Sequence, residues 1–116
     1  MKLVFEIKPI SKDNVKTQNK YGNYFLPKKY KCFETDIQKQ FIVQAPGFKP
    51  MMKEVCMTLR FFFIDRRSCD LGNAPKSILD ALEGFLYIND RQICEMHCFR
   101  NFDKENPRIE LMAEEV

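Results

Sequence analysis

Asp70, Lys76, Asp80, Glu83 and Asp90 fall in one short stretch and are of the types that hydrolyse phosphodiesters. Converging carboxylates suit Mg²⁺ or Mn²⁺, which take oxygen ligands and keep several waters. Such ions generate hydroxide and stabilise charge on the attacked phosphate and on the leaving oxygen. A nearby lysine adds to that stabilisation. Imidazole schemes have little to work with, because His97 is the only histidine. The same residues also have a plain reading: Asp70 ends a turn, Lys76 pairs with Asp80 on an exposed helix, and Asp90 sits in a turn. An exposed pair of that kind contributes about 0.3–0.5 kcal/mol.

The surrounding elements decide whether these side chains can meet. From Val55 to Ile64, apolar side chains fall on both faces of an extended chain. Val55, Met57, Leu59, Phe61 and Phe63 line one face, and Cys56, Thr58, Arg60, Phe62 and Ile64 the other. That pattern predicts a central strand. Asn73 can cap a helix starting at Ala74, Pro75 suits its first turn, and Gly84 can end it. Ile78, Leu79, Leu82 and Phe85 give this helix an apolar face. Lys76, Asp80 and Glu83, spaced i, i+4, i+7, share the face away from it. Gln92 to Phe99 reads as the next strand. Asp70 thus follows one strand and Asp90 precedes another. If those strands are neighbours, the two carboxylates converge at one sheet edge.

Elsewhere, Lys2 to Lys8 roughly alternates and stops at Pro9, which predicts a strand. Ser11 to Asn23 is polar and reads as a long basic loop. Tyr30, Phe33, Ile37 and Phe41 recur at helical spacing before Ala45-Pro46-Gly47, giving a helix from about Lys28 to Gln44. Arg108 to Met112 predicts a short last strand. The order is that of an α+β domain with helices packed on a small mixed sheet, and 116 residues suit a single domain, 1–116. These patterns leave the strand order open.

The formal charge of +3 hides an asymmetry. Residues 1–67 hold fourteen Lys/Arg against six Asp/Glu, a formal +8; residues 68–116 hold five against ten, a formal −5. A basic surface attracts a polyanion, while clustered carboxylates repel one unless cations intervene. Candidate phosphate contacts are Lys12, Lys16 and Lys20 in the loop and Arg66-Arg67 just before Asp70. Lys28 and Lys29 join them at a helix start, where the dipole disfavours cations. A solvated surface is the competing reading for each. Tyr21, Tyr24 and Phe25 stand near lysines and could stack on exposed bases or pack in the core. Phe61 to Phe63 read as core or dimer interface. Cys94-Glu95-Met96-His97-Cys98 lacks the second ligand pair that zinc usually needs, and alternation puts His97 opposite Cys94 and Cys98, so buried strand cysteines are expected. The longest purely apolar run, Phe61 to Ile64, is too short to span a bilayer. Five cysteines without a CxxC, and charges as early as Lys2 and Glu6, suggest a reduced, cytoplasmic setting with no membrane.

The stretch from Asp70 to Asp90 resembles the signature of the RusA family of Holliday-junction resolvases. That signature is an Asp-x-Asp-Asn, a Lys three residues on, Asp-Ala-Leu, and an Asp-Asp pair after a short linker. Asp70, Asn73, Lys76, Asp80-Ala81-Leu82 and Asp90 match in order and at near-matching spacing. Two positions depart: Gly72 stands at the second Asp of Asp-x-Asp, and Asn89 at the first of the Asp-Asp pair. The amide offers only a neutral oxygen and glycine no side chain, so the site holds less charge for a divalent cation.

The resemblance implies a RusA-like fold and a homodimer, often of phage or prophage origin. It implies a crossover junction endodeoxyribonuclease, dependent on Mg²⁺ or Mn²⁺, that nicks four-way or branched DNA symmetrically without an organic cofactor. Asp70 and Asp90 would be metal ligands, Lys76 the catalytic lysine, and Asp80 a supporting carboxylate that ligates in the outer shell or orients Lys76. Asn73 and Asn89 would support them. With Gly72 in place, Asp80 or Glu83 could fill the gap, one metal could suffice, or the protein could bind junctions and cut them poorly. The alternative is therefore a junction-binding protein of the same fold with a weakened metal site. A small protein-interaction domain whose carboxylates are surface decoration is a third reading. Gly72→Asp is expected to raise Mg²⁺-dependent nicking of a synthetic four-way junction; unchanged rate and metal affinity would place position 72 outside the site.

Overall fold

The computed structural model describes residues 1–10, 17–18, 24–25, 28–67 and 71–116. Strand β1 (Lys2–Phe5) precedes a short pair, β2 (Thr17–Gln18) and β3 (Tyr24–Phe25). Helix α1 (Lys28–Gln44) leads to β4 (Val55–Phe63), α2 (Ala74–Leu82), β5 (Ile93–Phe102) and β6 (Arg108–Glu115). Four strands form one mixed sheet in the order β1-β6-β4-β5, while β2 and β3 pair antiparallel with each other. The chain is thus an α+β fold.

β4 is central for the reason its pattern suggests. Val55, Met57, Leu59, Phe61 and Phe63 are buried, and Cys56, Thr58, Arg60 and Phe62 are half-buried on the other face. β4 pairs antiparallel with β6 and parallel with β5. A parallel pair requires a crossover, and α2 supplies it.

Both helices cover the face of the odd-numbered β4 residues. Tyr30, Phe33, Ile37 and Phe41 of α1 are buried as their spacing predicts. Phe33, Ile37 and Phe41 join Leu3, Phe5, Met57, Leu59, Phe61, Ile78, Leu82, Ile109 and Leu111 in one core. In α2, Ala74, Ile78, Ala81 and Leu82 are fully buried, whereas Leu79 and nearby Phe85 are half-buried. α1 also covers the free edge of β1. Gln44 Oε1 accepts from the Val4 amide (2.9 Å) and Gln40 Oε1 from the Glu6 amide (2.8 Å). On the opposite sheet face Phe62 lies under the Arg108 guanidinium, 3.7 Å from its ring centre. Phe61 and Phe63 are core, so the three phenylalanines divide between the faces.

Several expectations are corrected. β1 stops at Phe5, β5 continues to Phe102 and β6 to Glu115. The backbone ladder with β4 persists where the side-chain pattern turns polar. The Ser11–Asn23 segment, read as loop, contributes Thr17–Gln18 to the β2–β3 pair, which is too short for any periodicity to register. Lys12, Lys16, Lys20 and Tyr21 lie outside the described residues. Asn73 has helical backbone angles and makes no side-chain cap bond. α2 ends at Leu82, and Gly84 turns the chain at φ +86°, a left-handed conformation that strains any residue with a Cβ. Cys94 is exposed and Cys98 half-buried, because β5 is an edge strand. No helix of the described residues is long and apolar enough to cross a membrane.

Phe61→Ala removes a fully buried ring and is expected to cost about 3–5 kcal/mol in a denaturant titration. Phe62→Ala, on the half-covered face, is expected to cost clearly less.

Candidate active site along the crossover helix

The crossover decides where the predicted site residues fall. β4 and β5 run in the same direction, with Val55 level with Ile93 and Phe63 with Phe102. The end of β4 and the start of β5 therefore lie at opposite ends of the sheet. Parallel neighbours do not by themselves bring Asp70 and Asp90 to one sheet edge. Neighbouring strands joined by a crossover helix keep exit and return apart, so only the segments flanking α2 can bring such residues together. Asp70 itself lies outside the described residues. Leu71 packs against the core and Gly72 is exposed.

α2 starts at the end where β4 exits. There the Ser77 hydroxyl donates to the Ile10 carbonyl (2.9 Å), just past β1. Lys76 is half-buried and Asp80 exposed. One turn separates them, about 6 Å along the axis. Glu83 lies past the last turn on extended backbone, so it leaves the face that Lys76 and Asp80 share.

Tyr87 follows the far end of the helix. Its side chain is fully buried and its hydroxyl donates to the Leu79 carbonyl. Burial above all, and then the charges of Asp90, Glu83 and Asp80, push this hydroxyl far above the usual tyrosine range.

The turn that carries Asp90 is held by two uncharged side chains, Gln92 and Asn89. Gln92 Oε1 accepts from the Ile88 and Asn89 amides (both 2.9 Å). Gln92 Nε2 donates to the Met51 carbonyl (2.8 Å) and the Lys53 carbonyl (2.9 Å). Both donors and both lone pairs of the amide are used. Asn89 Oδ1 accepts from the Arg91 amide (2.9 Å) and completes a capping box with Gln92. Asn89 is thus committed to the turn. Asp90 is exposed and lines a cleft of about 360 Å³ with Leu79, Ile93, Cys94, Glu95 and Met96. Sequence reasoning missed Gln92 and Tyr87, which carry no charge. The Asn89-x-x-Gln92 spacing is a readable capping signal that points to the first of them.

Carboxylate oxygens are the donors that Mg²⁺ or Mn²⁺ prefers. Among the described residues, no three His, Cys, Asp or Glu side chains stand close enough to hold an ion. The zinc reading stays unsupported: His97 pairs with Glu95 at 2.7 Å, on the face away from Cys98. That bond holds the Glu95 carboxyl below the usual carboxylate range.

The basic candidates are distributed around the fold. Arg66 stacks on Phe102, 4.5 Å from its ring centre, and the Arg67 amide donates to Asp65 Oδ1 (2.9 Å). Both side chains are exposed near the β4 exit, the end where Lys76 also lies. Lys28 and Lys29 are exposed in the first turn of α1, with Lys29 Nζ 4.9 Å from the Tyr30 ring centre.

A family model described as endodeoxyribonuclease RusA matches residues 6–114, nearly the whole chain. No curated protein matches the sequence.

Gln92→Ala removes four hydrogen bonds and leaves their backbone partners without it. At roughly 0.5–1.5 kcal/mol net for each bond, a loss of about 2 kcal/mol or more is expected. Amide exchange should accelerate at Ile88 and Asn89 more than in β4.

Proposed function

The chain belongs to the RusA family of endodeoxyribonucleases, and from that premise we propose that it makes paired nicks in four-way DNA junctions with a divalent cation held by Asp70, Asp80 and Asp90. The observation that carries this reading is the family match over residues 6–114, with Lys76 and Asp80 one helical turn apart on α2. Mg²⁺ or Mn²⁺ bound there would supply Lewis-acid stabilisation of the charge that builds on the phosphate and the leaving oxygen.

The protein's own groups set up that chemistry. Asp90 sits on a turn whose backbone Gln92 fixes. Lys76 places a positive charge beside the reacting phosphate, where it acts most strongly once water is excluded. Asp80 both contributes an oxygen and orients Lys76 from the next turn. Asn73 and Asn89 support the two ends of the crossover. Arg66 and Arg67 take flanking phosphates near the β4 exit, and Lys12, Lys16, Lys20, Lys28 and Lys29 extend the basic surface. Binding then weakens steeply as salt rises. A two-fold homodimer presents two such sites to a junction that is itself nearly symmetric, which yields nicks in pairs.

A second reading is favoured by one specific feature. Gly72 offers no side-chain ligand, and Asn89 spends its oxygen on the Arg91 amide. A chain with this few acids could hold junctions without cutting them. Asp70→Asn and Asp90→Asn are each expected to cut nicking by roughly a hundredfold or more while leaving junction binding in a gel shift intact. Wild-type binding without nicking in either Mg²⁺ or Mn²⁺ would establish the binding-only reading. Absence of salt-sensitive junction binding would remove both.

A further inference from the structure

The β4 exit holds an arrangement built from two distant stretches of chain. Phe102, the last residue of β5, is 37% exposed. It lies level with the buried Phe63 across the ladder, the two ring centres 6.4 Å apart. Two guanidinium groups come to this ring, Arg66 at 4.5 Å from its centre and Arg100 at 5.8 Å. Arg66 follows β4, and Arg100 lies on β5 on the same face as Phe102. Both arginines are exposed. Among the described residues, Phe62 and Phe99 each take one guanidinium, from Arg108 and Arg60. Phe102 takes two.

The negative face of an aromatic ring attracts a cation, but two cations at one ring repel each other. An anion set against both relieves that repulsion. The acid next in the chain, Asp103, accepts from Arg108 (2.9 Å) and from the Asn106 amide (3.1 Å). A guanidinium laid flat on a ring turns its edge to an oxyanion, and phosphate matches that edge with two hydrogen bonds at once. Lys76, in the first turn of α2, stands at the same end of the sheet.

We propose that Arg66 and Arg100 form a phosphate clamp, laid out by Phe102, that grips the DNA backbone beside the crossover helix. Phe102 is a positioning residue: it sets where the two charges stand and touches no phosphate itself. Its own place is fixed by the Phe63 ring and by the Asp103 amide, which donates to the Phe63 carbonyl (2.8 Å). Arg100 thereby joins the phosphate contacts although it lies in the acidic half of the chain. Contacts of this kind fix the register of the protein on DNA and carry no base sequence.

The clamp rests on the function proposed above for its ligand, and the experiment lets the two fail separately. Fluorescence anisotropy on the full chain, without divalent cation, gives Kd for a synthetic four-way junction and for a linear duplex across a salt series. Arg66→Gln and Arg100→Gln are each expected to flatten the slope of log Kd against log salt by about 0.9, the share of one neutralised phosphate. Phe102→Leu keeps an apolar side chain and both charges, and is expected to weaken binding about threefold. Phe102→Tyr should bind like the wild type, and Phe102→Leu should change nothing further once both arginines are glutamine. An unchanged slope in either arginine variant overturns the clamp and leaves junction binding standing. Equal weakening by Phe102→Leu with and without the arginines overturns the positioning role. Flattened slopes on a duplex bound as tightly as the junction support the clamp and remove the junction reading. Binding to neither DNA overturns both. Should Phe102→Leu fail to fold, the two arginine variants, which alter exposed side chains, decide alone.

Discussion

The parallel pairing of β4 with β5 is the constraint on which the rest depends. Two parallel neighbours cannot be joined by a tight turn, so the chain must leave the sheet, cross its face and return to the opposite end. α2 makes that crossing, and its inward side chains complete a core begun by the odd-numbered residues of β4. The chemistry is thereby laid out along a helix. Lys76 falls near the exit of β4, Asp80 one turn on, and Asp90 at the return to the sheet. The end of β4 and the start of β5 lie at opposite ends of the sheet, with the helix and its two flanking segments between them.

The turn that carries Asp90 is braced by uncharged groups. Gln92 makes four hydrogen bonds at about 1 kcal/mol net apiece. Tyr87 contributes from beneath, burying its ring in the core while tying its hydroxyl to the Leu79 carbonyl. The loss of an acid at position 89 looks different in this light. Asn89 gives up charge, but its amide oxygen secures the turn on which Asp90 depends.

Much of this was legible in the sequence, and the failures have physical causes. Alternation in β4 and the Tyr30–Phe41 stripe in α1 report burial directly, so both elements were readable to within a residue or two. Alternation says which residues share a face and nothing about strand direction. The direction of β5 relative to β4 was therefore left open, although the order of elements was right. The same limit explains the cysteines. Cys98 does face the helix-covered side with Met57 and Leu59 level across the ladder, but an edge strand reaches past the helices that would bury it. Asn73 and Asn89 have equal propensity to cap. Only tertiary context decides that the turn of Asp90 uses its asparagine and α2 does not.

The uneven charge along the chain acquires a spatial meaning once β6 is seen between β1 and β4. Part of the acidic half is neutralised inside the sheet. Arg108 bonds both Glu110 and Asp103 (2.9 Å each) while lying over Phe62, and the bond to Arg108 holds the Asp103 carboxyl below its ordinary range. Asp80, Glu83 and Asp90, on α2 and its following turn, lie outside that pairing. Basic groups near the β4 exit then favour a polyanion at one end of the crossover, while carboxylates oppose it at the other. An approaching polyanion is thus drawn to one end of the crossover and repelled at the other.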